Sequence, residues 1–156
     1  MKVYRIAKNK YIEDLSGYGA YLYGGRWSTK GTYALYTAVT KSLAYLEFIV
    51  HQFDQQTWPS NISIATIEVG QKSPIAPLSD LPHGWNSLNY HISCQQISKE
   101  YFDQDILGIQ VPSVIVPGEF NIIFNPQHPD FAHLITIKEI EPLHIDDRFS
   151  NGRNHR

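Results

Sequence analysis

Residues 33–53, YALYTAVTKSLAYLEFIVHQF, join a strand-like segment to the clearest amphipathic helix of the chain. Residues 33–36 resemble a β-strand, and Thr40 or a close neighbour is predicted to begin the helix, which runs to about Phe53. Apolar side chains recur along the helix at helical spacing and form one stripe: Leu43, Leu46, Ile49, Val50 and Phe53. The fold prediction starts from this unit, in which a strand leads directly into a helix.

Further segments on either side of this unit are β-rich: residues 3–6, 61–69, 111–116, 120–124 and 134–145, the last interrupted at Pro142. Residues 16–31 are predicted to be a glycine-rich loop, and prolines oppose long regular elements between residues 74 and 100. Strands with interspersed helices, without regular βαβ alternation, predict the α+β class. We expect one compact domain with a mixed β core, residues 1–150, followed by a polar tail, residues 151–156.

Composition excludes several classes of protein. Thirteen Lys and Arg against fifteen Asp and Glu give a net charge of -2, which argues against a protein that coats nucleic acid. One cysteine cannot form an internal disulfide, so a reducing cytoplasm is the expected compartment. Lys8 and Lys10 interrupt the start of the chain before any apolar run, so no signal peptide is predicted. No apolar stretch approaches the roughly 20 residues that a membrane span needs.

Metal-ligating patterns are also missing from the sequence. The seven histidines and the single cysteine include no His-x-x-x-His or Cys-x-x-Cys spacing. We therefore predict no metal site and no cofactor.

Gly24-Gly25-Arg26-Trp27 is the most pointed local motif. Paired glycines allow the backbone to approach a ligand closely, and the planar donor fork of an arginine suits a phosphate. Trp27 would clamp the loop or stack on a ring. A tight turn whose arginine packs on an aromatic neighbour explains the segment equally well. Neither the dinucleotide-binding fingerprint nor a P-loop is present, so a dinucleotide would bind here without those devices.

Glu47 follows Leu43 by four positions and precedes Val50 by three, so it borders the apolar stripe of the predicted helix. A carboxylate there is partly desolvated, and such groups are either paired or functional. On helix position alone, a rim glutamate that reaches solvent is the commoner case. Tyr36 lies ten residues after Arg26 and Glu47 eleven after Tyr36. A loop, a strand and a helix can therefore converge on one cleft.

Ser113 places a hydroxyl inside the apolar β-run of residues 111–116. A polar side chain there must find a hydrogen bond, and one that faces a cleft could give it to a ligand. A serine satisfied by neighbouring backbone is the commoner alternative, and no nucleophile elbow surrounds it. Asn121 follows in a strand bracketed by turns. It would hold a substrate or cap the turn, and a supporting role is favoured.

Together these segments resemble the RES domain family, the toxin half of a bacterial toxin–antitoxin pair, named for an arginine, a glutamate and a serine. The resemblance runs through nearly the whole chain in an ordered series of motifs: Gly24-Gly25-Arg26-Trp27, Tyr36-Thr37-Ala38, Leu43-Ala44-x-Leu46-Glu47, Leu81-Pro82-x-Gly84-Trp85, Val111-Pro112-Ser113-x-x-x-Pro117 and Glu119-x-Asn121. Ser28 departs from the family pattern, because asparagine is common after Gly-Gly-Arg-Trp.

The resemblance implies an α+β fold similar to ADP-ribosyltransferase toxins and an activity that depletes NAD by cleaving the nicotinamide–ribose bond. The family's catalytic roles would fall on Arg26, Tyr36, Glu47 and Ser113, with substrate-binding additions at Arg5, Trp27 and Asn121. The implied partner is an antitoxin of the Xre type, whose helix-turn-helix domain binds DNA and whose other part blocks the toxin's cleft in a type II system. Toxin homodimers within that complex are expected.

Cleaving this bond builds an oxocarbenium-like ribose, so catalysis needs charge stabilisation and orientation. In the resulting hypothesis Arg26 grips the pyrophosphate, Tyr36 frames the nicotinamide, and Glu47 accepts from ribose hydroxyls. Ser113 orients the nicotinamide amide or its ribose. Water, inorganic phosphate or a protein side chain could accept the ADP-ribosyl group. Transfer to protein is the second hypothesis, and an RNA-cleaving toxin and a non-catalytic binding module rank lower.

Overall fold

The computed structural model describes residues 1–52, 58–89, 92–146 and 148–151, and within them seven strands form one mixed sheet. The strands are β1 (Lys2–Lys8), β2 (Leu35–Ala38), β3 (Ile62–Val69), β4 (Ile75–Pro77), β5 (Gly108–Pro112), β6 (Phe120–Phe124) and β7 (Ile135–Leu143). They lie in the order β4-β5-β6-β2-β1-β3-β7. Neighbouring strands are antiparallel except β4 and β5, which run parallel.

The helices are α1 (Tyr18–Tyr23), α2 (Lys41–His51), α3 (Ile92–Phe102), α4 (Phe131–Leu134) and α5 (Arg148–Asn151), with a 3₁₀ turn at Asn9–Tyr11. The predicted α+β class with a mixed β core is therefore confirmed. The end of the predicted helix at Phe53, and the predicted polar tail from residue 152 onward, lie outside the described residues.

Thr40 begins α2 as predicted, because its extended backbone and its side chain cap the helix. Its Oγ1 accepts a hydrogen bond from the backbone N–H of Leu43 at 3.0 Å, which satisfies one of the amides that a helix N-terminus leaves unpaired. The predicted apolar stripe is only partly right. Leu43 and Ile49 are buried, but Leu46 is 37% and Val50 51% exposed, because α2 packs mainly on β1 and β2 and leaves one side of the stripe to solvent.

The two faces of the sheet carry separate apolar clusters, because side chains alternate along each strand. One face holds a large cluster that includes Val3, Leu35, Ile67, Ile122 and Phe124. On the opposite face, α3 packs on β5 through a cluster that includes Cys94, Ile97, Ile109, Val111 and Ile123. Next to it, α2 packs through Leu43 and Ala44 on Ala38, Tyr4 and Ile6. Both longer helices thus cover the same face.

Several predicted boundaries were wrong. The strand predicted over residues 111–116 spans Gly108–Pro112, so Ser113 lies just beyond it. Residues 134–145 contain one continuous strand, β7, in which Pro142 is tolerated because β7 is an edge strand that pairs only with β3. Residues 16–31 and 74–100 are less irregular than expected, since α1 lies in the first and most of α3 in the second.

Candidate active site

The Glu47 carboxylate is the centre of the site. Glu47 lies seven residues after the capping Thr40, on the side of α2 that faces the end of β5 and the start of β6. Its Oε1 accepts a hydrogen bond from Asn121 Nδ2 at 2.7 Å and another from Ser113 Oγ at 3.2 Å. Among the described residues no side chain donates to Oε2. The half-buried carboxylate is therefore held in one orientation with an acceptor oxygen left over.

Ser113 is 5% exposed and continues the alternation of Ile109 and Val111, so its side chain points to the face that α2 covers. Its Oγ accepts from the backbone N–H groups of Ile115 at 3.0 Å and Val116 at 3.1 Å. The hydroxyl in turn donates its hydrogen bond to Glu47 Oε1. Ser113 is thus satisfied by neighbouring backbone, as the commoner alternative predicted, and it also donates to the carboxylate. A hydrogen bond from Ser113 to a ligand stays a prediction.

Asn121 lies on β6, where it is paired with Val111 on one side and Ala38 on the other. Directly opposed residues share a face of the sheet, so Asn121 also points toward α2. This position in the middle of the sheet explains why its amide reaches Glu47. The structure thus brings together Glu47, Ser113 and Asn121, which are far apart in sequence.

Tyr36 stands on the same face, one step diagonally from Asn121, because it pairs with Ile123 in the neighbouring row. Diagonal neighbours in an antiparallel pair have Cβ atoms roughly 7 Å apart. The Oη of Tyr36 accepts the backbone N–H of Trp27 at 3.2 Å and shares a hydrogen bond of 2.8 Å with Ser28 Oγ. The ring therefore reaches from the sheet to the glycine-rich loop.

Gly25 is needed for this contact. A Cβ at that position would lie 2.5 Å from Tyr36 Oη, far inside van der Waals contact. The paired glycines were predicted to let the backbone approach a ligand closely. In the structure, the close approach of Gly25 is to Tyr36.

Arg26 donates through Nη1 to two backbone carbonyls, those of Trp85 and of Ser87, the second at 2.8 Å. These bonds tie the glycine-rich loop to the turn at residues 83–86. Arg26 is the residue before Trp27, whose backbone N–H donates to the Tyr36 hydroxyl. Its own Nη1 group donates to carbonyls of the protein.

The ring of Trp27 is 4% exposed and packs in the cluster under α3, with its centroid 5.8 Å from that of Trp85. Of its two predicted roles, the burial favours clamping of the loop over stacking on a ligand. From α3, Ser98 N–H donates to the Trp27 carbonyl at 3.3 Å and Gln95 Nε2 to the Gly25 carbonyl at 3.4 Å. The loop is thus held from both sides.

Arg5 is not brought to this site. It alternates with Val3 and Ala7 on β1, so it belongs to the face of the sheet opposite α2 and α3. Its Nη1 donates to the carbonyls of Tyr11 and Ile12, each at 2.9 Å. Burial lowers the pKa of its guanidinium, and the charge of Asp14 partly offsets this.

Two residues of the site were given no role from the sequence. Ser28 is fully buried beneath the loop and holds the Tyr36 hydroxyl. Glu119 accepts a hydrogen bond from Thr40 Oγ1 at 2.7 Å and joins the start of α2 to the turn before β6. Glu119 lies inside a motif quoted above and Ser28 directly follows another. A motif does not show which of its residues form hydrogen bonds in the folded chain. Their positions became informative only once the strands were aligned.

Within the described residues, no group of three or more His, Cys, Asp or Glu side chains is arranged to hold a metal ion. None of the helices in that part of the chain has the length and apolarity that a membrane span requires.

The chemistry that such a site offers is electrostatic. The Glu47 carboxylate is fixed by hydrogen bonds from Ser113 and Asn121. Tyr36 shares the face of the sheet with Asn121, and its hydroxyl contacts the loop that carries Arg26. Such an arrangement suits a reaction that develops positive charge on a substrate with polar hydroxyls.

Comparisons with known proteins bear on the family and the fold. The RES domain model matches residues 2–146. A protein of Photorhabdus laumondii named Toxin Res is 38% identical over 157 residues, covering 98% of this chain and 99% of that one. Toxin Res of Yersinia enterocolitica is 37% identical over 147 residues, with coverages of 92% and 94%. A Sphingobium protein named Prs ADP-ribosylating toxin is 36% identical over 129 residues, or 80% of each chain.

The fold also has a counterpart among solved structures. In the crystal structure of the M. tuberculosis MbcT–MbcA toxin–antitoxin complex, one chain superposes with a TM-score of 0.77 at 18% identity, covering 91% of this chain and 83% of its own. That identity supports likeness of fold alone. The family model and the relatives carry the further conclusion: the chain belongs to the RES domain family.

Proposed function

We propose that this chain is the toxin of a bacterial toxin–antitoxin pair and that it cleaves the nicotinamide–ribose bond of NAD. The observation that carries the proposal is the Glu47 carboxylate. Its Oε1 is held by Ser113 and Asn121, while Oε2 has no donor among the described residues. A carboxylate fixed before the substrate arrives stabilises a developing cation without reorganising during the reaction.

Glu47 would act on the ribose next to the bond that breaks. As nicotinamide departs, C1″ of the ribose gains oxocarbenium character, and the positive charge spreads onto the ring oxygen. Oε2 of Glu47 accepts hydrogen bonds from the ribose hydroxyls and offsets this charge. Nicotinamide leaves as a neutral molecule, so no proton has to be supplied to it.

Tyr36 and Arg26 would bind the rest of the substrate. The Tyr36 ring, fixed at its hydroxyl by Trp27 and Ser28, offers a flat surface for the nicotinamide. Arg26 would bind the pyrophosphate through its planar guanidinium, whose Nη1 also donates to the carbonyls of Trp85 and Ser87. Ser113 would contribute by orienting Glu47. This role replaces the one first considered for it, which was to orient the nicotinamide amide or its ribose.

The partner would be an antitoxin that covers this cleft. The fold's counterpart was crystallised as a toxin–antitoxin complex, which supports a protein partner for this chain as well. We propose an Xre-type antitoxin with a DNA-binding domain, a toxin homodimer within the complex, and DNA contact through the antitoxin only. NAD as substrate places the activity in the cytoplasm.

Transfer of ADP-ribose to protein is the second candidate, because a Sphingobium relative is named an ADP-ribosylating toxin. The same site would make the same cation, and the acceptor alone would differ. The RNA-cleaving and non-catalytic alternatives gain no observation from the site.

The test is product analysis. The purified chain is incubated with NAD in buffer, in buffer with inorganic phosphate, and in a cell lysate with labelled NAD. Free ADP-ribose indicates hydrolysis, ADP-ribose-1″-phosphate indicates phosphorolysis, and label fixed on protein indicates transfer. Release of nicotinamide in any arm supports cleavage. Intact NAD in every arm contradicts the proposal.

A further inference from the structure

Glu119 links the two structural units that build the Glu47 site. One unit is α2, which carries Glu47 itself. The other is the pair of strands β5 and β6 with their connecting turn, which carries Ser113 and Asn121. Glu47 accepts hydrogen bonds from the second unit, so its geometry depends on how α2 is seated against that turn.

The side chain of Glu119 binds the start of α2. Its Oε2 accepts the hydroxyl proton of Thr40 at 2.7 Å, while Thr40 Oγ1 accepts from Leu43 N–H at 3.0 Å. A threonine hydroxyl has one proton to give, and the carboxylate can only accept, so the direction of both bonds is fixed. The first turn of α2 contains no acidic residue of its own. Glu119 thus supplies the negative charge that favours a helix N-terminus.

The backbone of Glu119 binds the other unit. Its carbonyl accepts from Ser113 N–H at 2.8 Å, and its own N–H donates to the Val116 carbonyl at 3.1 Å. The next residue joins in, because the carbonyl of Phe120 accepts from Val39 N–H at 3.2 Å. One residue therefore holds the backbone of Ser113 and the cap of the helix that carries Glu47.

We propose that Glu119 is a positioning residue that sets the seat of α2, so that Glu47 meets both Ser113 and Asn121. Glu47 lies seven residues beyond Thr40, about 10 Å along a helix that rises 1.5 Å per residue. Fixing the N-terminus of α2 fixes the depth at which the carboxylate enters the site. This role rests on the proposed cleavage of NAD, in which Glu119 touches no substrate.

The test compares three variants by steady-state kinetics with NAD. Glu119→Ala removes the acceptor for Thr40 and should lower kcat about 10- to 30-fold with KM within about threefold, because small misplacements of a catalytic group cost rate rather than binding. Glu119→Gln keeps an acceptor oxygen and should stay within about threefold of the parent kcat. Ile67→Val, fully buried on the opposite face, lowers stability without touching the site and should leave kcat unchanged.

A second readout needs no turnover. The side-chain amide protons of Asn121 report its hydrogen bond to Glu47, and their NMR signals should move toward those of a free amide in Glu119→Ala but not in Glu119→Gln or Ile67→Val. If the parent chain leaves NAD intact, the proposed function fails, and these signals alone decide the role of Glu119. The role is overturned if the Asn121 signals are unchanged in Glu119→Ala. It is also overturned if kcat in that variant equals the parent's, or if Glu119→Gln or Ile67→Val loses as much kcat.

Discussion

The candidate site has two halves, which are held by different kinds of partner. On the α2 side, the Glu47 carboxylate is fixed by two side-chain donors, Asn121 and Ser113, and keeps an acceptor for a substrate. On the loop side, Arg26 Nη1 donates to two backbone carbonyls. One belongs to Trp85, in the turn at residues 83–86, and the other to Ser87. The Glu47 half offers a fixed acceptor oxygen for charge stabilisation. The Arg26 half holds its own loop in place and would also bind the substrate.

This difference predicts that losses in the Glu47 half fall on kcat and losses in the Arg26 half fall mainly on KM. An interaction made only in the transition state lowers kcat when it is removed, whereas one made equally with bound substrate raises KM. Substitutions in each half therefore separate the two effects.

Glu47→Gln keeps the shape of the side chain and removes its charge. We expect kcat to fall by about 10²–10³-fold, or about 3–4 kcal/mol of transition-state stabilisation, with the fold intact. Nicotinamide release under saturating NAD measures the effect, and circular dichroism checks the fold. A well-folded Glu47→Gln protein that turns over NAD like the parent would remove Glu47 from the mechanism.

Arg26→Lys replaces a planar fork by a single ammonium group. We expect kcat/KM to fall by roughly 10- to 100-fold, mostly through KM, because a lysine cannot span two carbonyls and a pyrophosphate at once. Initial rates over a range of NAD concentrations measure the split. A loss confined to kcat would contradict the assignment of Arg26 to substrate binding.

Asn121→Ala and Ser113→Ala each remove one donor to Glu47. The 2.7 Å bond of Asn121 is the shorter, so its loss should lower kcat more, about tenfold, than the loss of the 3.2 Å bond of Ser113. Ser113→Ala should instead lower the free energy of unfolding by about 1–2 kcal/mol, since Ile115 and Val116 lose their acceptor.

Kinetics and urea unfolding of both variants test this pair together. A larger loss of kcat in Ser113→Ala than in Asn121→Ala, or equal free energies of unfolding of the two variants, would contradict the double role of Ser113 in the turn and at the carboxylate.

Tyr36→Phe and Ser28→Ala break the same hydrogen bond from its two ends. If the ring of Tyr36 is what frames the nicotinamide, both variants should keep kcat and KM within about fivefold. Tyr36→Phe should cost about 1–3 kcal/mol of stability, because the Trp27 amide loses its acceptor. Thermal melts with parallel NAD assays measure both effects. A loss of activity in Tyr36→Phe comparable to that of Glu47→Gln would assign chemistry to the hydroxyl.

Arg5→Met gives the smallest expected change in activity. Its side chain holds Tyr11 and Ile12 on the opposite face of the sheet, so we expect stability to fall by about 1–2 kcal/mol. Turnover per folded molecule should stay within about twofold of the parent. Urea unfolding and NAD assays are the measurements, and a selective rise in KM would restore the substrate-binding role first predicted for Arg5.

Local patterns predicted those elements whose stability is itself local. The β-rich segment 120–124 coincides with β6, and α2 starts after Thr40, whose side chain caps it. By contrast, α3 was missed, because its apolar positions are few among serine, glutamine and charged residues and its burial is supplied by the loop and β5. Residues 114–116 are apolar enough for a strand. They form a turn instead, because the Ser113 hydroxyl accepts hydrogen bonds from the backbone N–H groups of Ile115 and Val116.

The family resemblance identified the residues of the candidate site. How these residues are arranged in space could be seen only in the fold. The Ser113–Glu47 contact joins residues 66 positions apart, and the Asn121–Glu47 contact joins residues 74 apart. Strand order decides such contacts, and strand order is not encoded in any one motif. Alternation along β1 puts Arg5 on the face with Val3 and Ala7, and only the packing of α2 and α3 shows that this face is opposite the candidate site.

The most direct test of the account is the NAD content of cells in which the chain is induced by itself, compared with cells that express Glu47→Gln at the same level. The account predicts that NAD falls within the period of growth arrest in the first culture and stays at its starting level in the second. An equal fall in both cultures, or growth arrest by the parent chain with NAD unchanged, would contradict it.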